Sequence, residues 1–541
     1  MGSRTPRPCR DSPSHEGLCG PKATVRAGAG VTAAAATLVL FGILNLRYVR
    51  AHGALATQGP DLWFYLLVAR GWEPLSFLDV TRWLAAPAAG FSTAGGMAWF
   101  LALAACCNAA SAFLLAARLE AFVPAFHNRP PGFGLRFSAG LLFALLPHQA
   151  TLSVASFTHF TVGQLVLLGA LQGFLPWLDG RRARPNLVAV ACLAEAVVIG
   201  PEGVGVALWI ALRFAWRRLA PRFERGRGIP SVLPGDKSQE KSLGNSTHPP
   251  KILVSFGRLD IALAGAVFAA WLFYEPLFRA WAHLALAVRG VNLVWQRQML
   301  SGDLLPLGVS FFTIFHGINL LWIGLAIWHL RKGSKSLAWL AIGLAALSLR
   351  VFRPAFLLQL TGALLLLPFL ASLCRPRRGW AVVLALFAAF TALPPPAPVF
   401  PHFLAAAARE IADVLPAERR IACSPTYGFF LEAWTRRLTT ATMHRPDPLW
   451  AELAARPPKE CARAMRDAEV GALWITTHDF RLTPDGYWSS SGLQETLQLL
   501  DNTAFKESVA VRIAREQDLM PLRCRTFVGR NEARVWCAFT R

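Results

Sequence analysis

Gly59-Pro60-Asp61-Leu62-Trp63-Phe64-Tyr65-Leu66-Leu67-Val68-Ala69-Arg70 sets one carboxylate among aromatic and aliphatic residues, just past a long apolar run at about 28–46. A carboxylate beside a membrane-embedded helix carries a desolvation cost unless it has a partner or a task. Two readings of Asp61 stay open on the residues alone. It can serve as a general base, or orient a metal or acceptor, at an external membrane surface. It can equally cap an interfacial helix, because Gly-Pro-Asp is also a good helix start.

Working outward, further apolar runs follow at about 94–117, 137–156, 160–178, 186–200, 203–216, 260–279, 306–330, 336–349, 354–373 and 379–396. Runs of this kind predict a polytopic all-α membrane bundle of about eleven spans. Composition agrees: 54% of the 541 residues are hydrophobic and 16% charged, with mean hydropathy +0.39. A soluble chain would carry about 25% charged residues. The net charge of +23 raises nucleic-acid binding, but the basic residues form no continuous face. They fall instead after every second span, at Arg118 and Arg129, Arg181-Arg182, Arg217-Arg218, Arg331-Lys332, and Arg375 with Arg377-Arg378. That alternation puts the N-terminus in the cytoplasm and the C-terminus outside.

Three regions break the pattern. Residues 1–27 are basic and rich in Pro and Ser, and read as a disordered cytoplasmic leader. The external loop 47–92 is far longer than a usual helix connection and is expected to lie partly as short helices on the membrane surface. Residues 217–259 read as a flexible cytoplasmic linker. Beyond the bundle at 28–397, residues 398–541 predict a small α/β domain. Its strands are expected at 420–424, 438–443 and 470–476, with helices at 429–434 and 458–469. Cys423, Cys461, Cys524 and Cys537 in this exported domain predict at least one disulfide.

Other residues can carry chemistry. Glu202, in Ile199-Gly200-Pro201-Glu202-Gly203, interrupts what would be one long span, and such a carboxylate faces a cavity or sits in a sharp external turn. Glu195 is a weaker candidate of the same kind. His148 and His159, near these acids, could join a divalent metal such as Mg2+ or Mn2+, or be ordinary interfacial histidines. Arg350 and Arg353 could clamp a lipid phosphate or anchor in headgroups. Arg289, Arg297 and Asp303 lie in a loop, 281–305, long enough to close over a substrate. Nucleotide-binding and hydrolase signatures are absent from the sequence.

The order of these features resembles the GT-C superfamily of membrane glycosyltransferases, and more narrowly bacterial relatives of the oligosaccharyltransferase catalytic subunit. Pro60–Leu66 with Ala69-Arg70 is similar to that family's first acidic motif. Ser156-Phe157-Thr158-His159-Phe160 sits where relatives carry a second acidic or Asp-His-His motif, here without a carboxylate. Gly200-Pro201-Glu202-Gly203 looks like their Ser-Pro-Glu segment, Arg350–Pro354 like their phosphate-contacting arginine, and Ser424–Gly428 with Met443-His444-Arg445 like their soluble domain. A Trp-Trp-Asp-type acceptor signature is missing.

The resemblance implies transfer of a sugar from a polyprenyl-phosphate-linked donor to a glycan, lipid or protein acceptor at the periplasmic face of a bacterial inner membrane. Asp61 would be the base, and Glu202, His159, Arg350 and Arg353 would bind substrate. A transporter or flippase of a lipid-linked intermediate and a non-catalytic assembly protein are the alternatives. The transporter explains the long first loop and the terminal domain less well than an enzyme does.

Overall fold

The computed structural model describes residues 21–123, 126, 130–146, 153–178, 181–225, 314–332, 335–348, 358, 360–366, 395, 398–445, 447, 449–480, 507–514, 517–529 and 534–540. The first helix, α1 (Pro21–His52), is rich in Ala and Leu and turns Ala33, Thr37, Leu40, Phe41 and Tyr48 inward. Positions three or four apart stack on one helix face, which accounts for that stripe. Val31, Leu38, Val39 and Leu46 occupy other positions and are exposed. A helix apolar on its outer side as well as its inner one is suited to lipid, where no water penalises the exposure. Residues 21–26, read from sequence as leader, are the first turns of this helix, and Arg26 pairs with Glu120 at 2.7 Å.

After α1 come α2 (Asp61–Ala69), α3 (Val80–Ala85) and α4 (Thr93–Ala117). Then follow α5 (Phe133–Ala144), α6 (His159–Leu178), α7 (Leu187–Ile199), α8 (Pro201–Arg225), α9 (Ile314–Lys332) and α10 (Lys335–Ser348). Helices α1, α4 and α5 pack together, and Gly140 makes this possible. A Cβ there would lie 2.6 Å from the Ala112 carbonyl oxygen. Arg136 is buried at the same end. It donates to the Ala116 and Ala117 carbonyls that close α4 and pairs with Glu120 at 2.7 Å. A cation there complements the negative end of the α4 dipole.

Three helices among the described residues are long and apolar enough to cross a membrane, Thr24–His52, Thr93–Ala117 and His159–Leu178, and four shorter apolar helices accompany them. The expected eleven therefore reduces to three clear candidates among those residues. The run 137–156 stops as a helix at Ala144, since Pro147 biases the residue before it away from helical angles. The runs 186–200 and 203–216 are α7 and part of α8, parted at Gly200-Pro201. Residues 217–225, expected as linker, continue α8. The spans at 260–279 and 379–396 lie outside the described residues, as do Arg289, Arg297 and Asp303.

The C-terminal part holds a four-stranded mixed sheet in the order β1-β2-β4-β3. Strand β1 (Arg420–Ala422) runs parallel to β2 (Val470–Thr476), whereas β4 (Arg534–Phe539) is antiparallel to both β2 and β3 (Arg523–Val528). Every residue of β2 is buried, as a central strand covered on both faces requires. Helices α11 (His402–Val414), α12 (Pro425–Thr435), α13 (Leu449–Ala455), α14 (Pro458–Asp467) and α15 (Val509–Ala514) complete this part. Residues 438–443, expected as a strand, contribute only a bridge between Thr439 and Ile421.

The expected disulfide is absent. Cys423, Cys461, Cys524 and Cys537 are all free. Cys423 and Cys461 belong to separate apolar clusters. Cys524 lies opposite Ala538, and Cys537 opposite Arg525, so the two thiols leave opposite faces of the hairpin.

Candidate functional site

Helix α2 holds the two halves together. Leu62 through Val68 are all buried, in one apolar cluster that runs from Phe100 of α4 to Phe430, Trp474 and Phe539. Trp63 meets Phe430 edge-on at 5.4 Å, while Phe64 packs on Phe429 and His444. This explains a stretch apolar all round: it is a core helix between bundle and domain, where a membrane-surface helix was expected. The loop before it is clamped twice. Thr57 and Phe400 exchange two backbone hydrogen bonds at 3.0 Å, and the Gln58 amide donates to the Ala155 carbonyl. Ala155 in turn donates to Asn45 Oδ1 at 2.8 Å.

That clamp brings the start of α2 beside the start of α6. Tyr65 packs edge-on against Phe157 at 5.3 Å, two residues before His159. His159 Nδ1 lies 3.5 Å from Asp61 Oδ2, with side chains 16% and 36% exposed. Pro60 is the capping residue of α2 and makes no side-chain cap, and Asp61 is the first helical residue. The capping reading of Asp61 thus fails in its simple form.

Glu202 joins from a third helix. Gly200 ends α7 and Pro201 opens α8, where its missing amide costs nothing and a carboxylate in the first turn meets the positive dipole end. His159, Gln164 and Glu202 line one small cavity of about 20 Å3, room for about one water, with Phe160, Leu167 and Ile199 as apolar wall. The N-termini of α6 and α8 thus border this cavity, and the start of α2 reaches His159 from the side. The positive dipole ends of α6 and α8 favour an anion there.

Asp61 is thus brought to His159, and His159 shares a cavity with Glu202, whereas Arg350, Arg353 and His148 lie outside the described residues. Glu195 is elsewhere: its Oε1 accepts from the Val80 amide at 2.7 Å and caps α3 together with Asp79, which accepts from Thr81. Among the described residues no three His, Cys, Asp or Glu side chains gather to hold a metal ion. Asp61 and His159 offer two donors and His148 lies outside the described residues, so no step below is routed through a metal.

Sequence reading missed the other end of α2. Arg70 donates to the Ala433 carbonyl at 3.1 Å and to the Thr93 hydroxyl at 3.1 Å, and that hydroxyl donates to Ala433 as well. Arg445 Nη2 pairs with Glu432 at 2.7 Å and Glu73 at 3.1 Å, and Glu432 also accepts from the Thr439 amide and hydroxyl. Burial pushes the Glu73 carboxyl up against the pull of Arg445, and the Glu432 charge adds to the rise. Burial acts to lower Arg445, but the two carboxylates outweigh it and its pKa is raised. No local pattern signals these pairs, because the partners lie 363 and 372 residues apart in the chain.

No protein-family model matches this chain, and no curated protein matches it. Solved structures do. The oligosaccharyltransferase of Archaeoglobus fulgidus, tethered to an acceptor peptide containing the NVT sequon, superposes with a TM-score of 0.51 at 11% identity. The match covers 88% of this chain and 77% of that one. The same enzyme in its apo form gives 0.51 at 12% identity, over 83% and 70%. At such identity the likeness is one of fold, and it agrees with the GT-C resemblance carried by the motifs.

Proposed function

We propose that this chain is an integral-membrane glycosyltransferase that moves a sugar from a polyprenyl-phosphate-linked donor to an acceptor at the periplasmic face of a bacterial inner membrane. One observation carries the reading: Asp61 lies 3.5 Å from His159, which in turn lines a small cavity with Glu202. The oligosaccharyltransferase-like fold supports it. In this reading 28–397 is the membrane unit, 398–541 the external domain, and the N-terminus is cytoplasmic.

Asp61 takes the proton from an acceptor hydroxyl or amide as that atom attacks the anomeric carbon. The bond from that carbon to the phosphate oxygen breaks, and the electron pair leaves with the lipid phosphate. His159, at Asp61 Oδ2, orients the carboxylate. Helix N-terminal amides stabilise the charge that grows on the leaving phosphate, a role Arg350 and Arg353 would share. The 281–305 loop would close over the donor, and exclusion of water protects it from hydrolysis. The acceptor is a glycan, lipid or protein.

The test is sugar transfer or release from a panel of polyprenyl-linked donors by the purified chain in lipid. Turnover by the wild type, abolished in Asp61→Asn of unchanged fold, is the expected result. A wild type inert with every donor would refute the enzyme reading.

A further inference from the structure

At the far end of α2, about 13 Å from Asp61 by helix rise, the chain forms a second cleft of about 370 Å3. Its wall includes Arg70, Trp72, Phe91, Glu432 and Arg436. Clefts of roughly 300–1,000 Å3 are the size that takes small ligands.

The charges in this cleft do not balance. Arg70 donates only to neutral groups, the carbonyls of Ala433 and Phe91 and the hydroxyl of Thr93. The Arg436 guanidinium has no ion-pair or hydrogen-bond partner among the described residues; only its backbone is engaged, the amide donating to the Glu432 carbonyl and the carbonyl accepting from Arg437. Burial, followed by the charge of Arg436, lowers the pKa of Arg70. Glu432 is already committed to Arg445 and Thr439.

Backbone geometry adds a second observation. Arg436 closes α12 at φ 55°, ψ 34°, the left-handed conformation that helix ends usually give to Gly or Asn. An arginine thus occupies this helix end, on the wall of the cleft, at a conformational cost. Beside the two cations stand Trp72 and Phe91, 43% and 45% exposed, offering flat apolar surface.

We infer that this cleft binds a phosphate group between Arg70 and Arg436, with the remainder of the ligand lying on Trp72 and Phe91. Two guanidinium forks suit a phosphate carrying up to two charges. A phospholipid headgroup and a free phosphate present the same group. The site lies apart from Asp61 and does not depend on the transfer reading.

The experiment uses the full chain in maltoside micelles, which contain no phosphorus. One arm titrates inorganic phosphate and reads 31P line broadening. The other adds phosphatidylglycerol and counts retained lipid by native mass spectrometry. Arg436→Gly suits the left-handed backbone and so keeps the fold, Arg436→Gln is its companion, and Lys459→Gln on exposed α14 removes one charge elsewhere. In at least one arm the wild type and Lys459→Gln bind alike and both Arg436 variants bind roughly tenfold more weakly. The arm that responds identifies the source of the phosphate. Binding by Arg436→Gly equal to wild type, equal loss in Lys459→Gln, or no binding by wild type in either arm overturns the proposal.

Discussion

The two ends of α2 carry carboxylates in opposite conditions. At the first, Asp61 is 36% exposed and meets His159 at 3.5 Å beside a cavity. Past the second, Glu432 is 1% exposed, and Oε1 takes Arg445 at 2.7 Å and the Thr439 hydroxyl at 2.9 Å. A carboxylate whose lone pairs are saturated and shielded holds structure together, while one loosely held and half open can take a proton. What separates the two is how many donors each meets.

The largest break in that comparison is Asp61→Asn. Transfer should fall about 10²–10⁴-fold, roughly 3–5 kcal/mol of barrier, with stability within about 0.5 kcal/mol of wild type. Full activity in a folded Asp61→Asn would move the site to Glu202. Glu432→Ala should do the reverse. It leaves Arg445 with Glu73 alone and strands the Thr439 donors, and chemical denaturation should show a loss of about 2–3 kcal/mol. That figure is kept low because Arg445 is 44% exposed and water screens it.

Gly203→Ala tests the corner beside the cavity. A Cβ at Gly203 would lie 2.0 Å from the Ala196 carbonyl oxygen, so backbone has to shift. A loss of about 1–3 kcal/mol is expected, accompanied by weaker donor binding as Glu202 is displaced. An unchanged melting midpoint would show that the corner is not tightly packed.

The smallest effect is a pH dependence at Glu73. Its folded pKa is raised, chiefly by burial. The stability it contributes is therefore complete below the ordinary glutamate pKa and is lost as pH rises through the raised folded value. Wild type should lose ground to Glu73→Gln across that acid-side window in denaturation series at several pH values. A difference constant with pH would mean that the raised pKa is wrong.

Legibility from sequence followed range. Asp61, His159 and Glu202 could be read because each opens a helix after a Pro, Gly or Thr signal that is local in the chain. Strand β2 could be read because a fully buried strand is a continuous apolar run. The arginines of the interface could not, since Arg70 and Glu73 find partners in the C-terminal domain. Hydropathy also failed to separate helices packed in protein from helices long enough to span. Runs such as 186–200 are as apolar as a span, but α7 has only 13 residues.

The burial of α2 orders events in time. The chain is made from its N-terminus, so the first seventy residues exist long before Phe429, Phe430 and Trp434, the rings that cover Trp63 and Phe64. Until then those aromatics have no partner, and the clamp from Thr57 to Phe400 is open. The contacts of Gln58 with Ala155 and of Tyr65 with Phe157 need only about the first 160 residues, so the start of α2 is held on one side early and covered on the other late. A nascent chain therefore presents the Trp63 and Phe64 faces until the residues that cover them have been made.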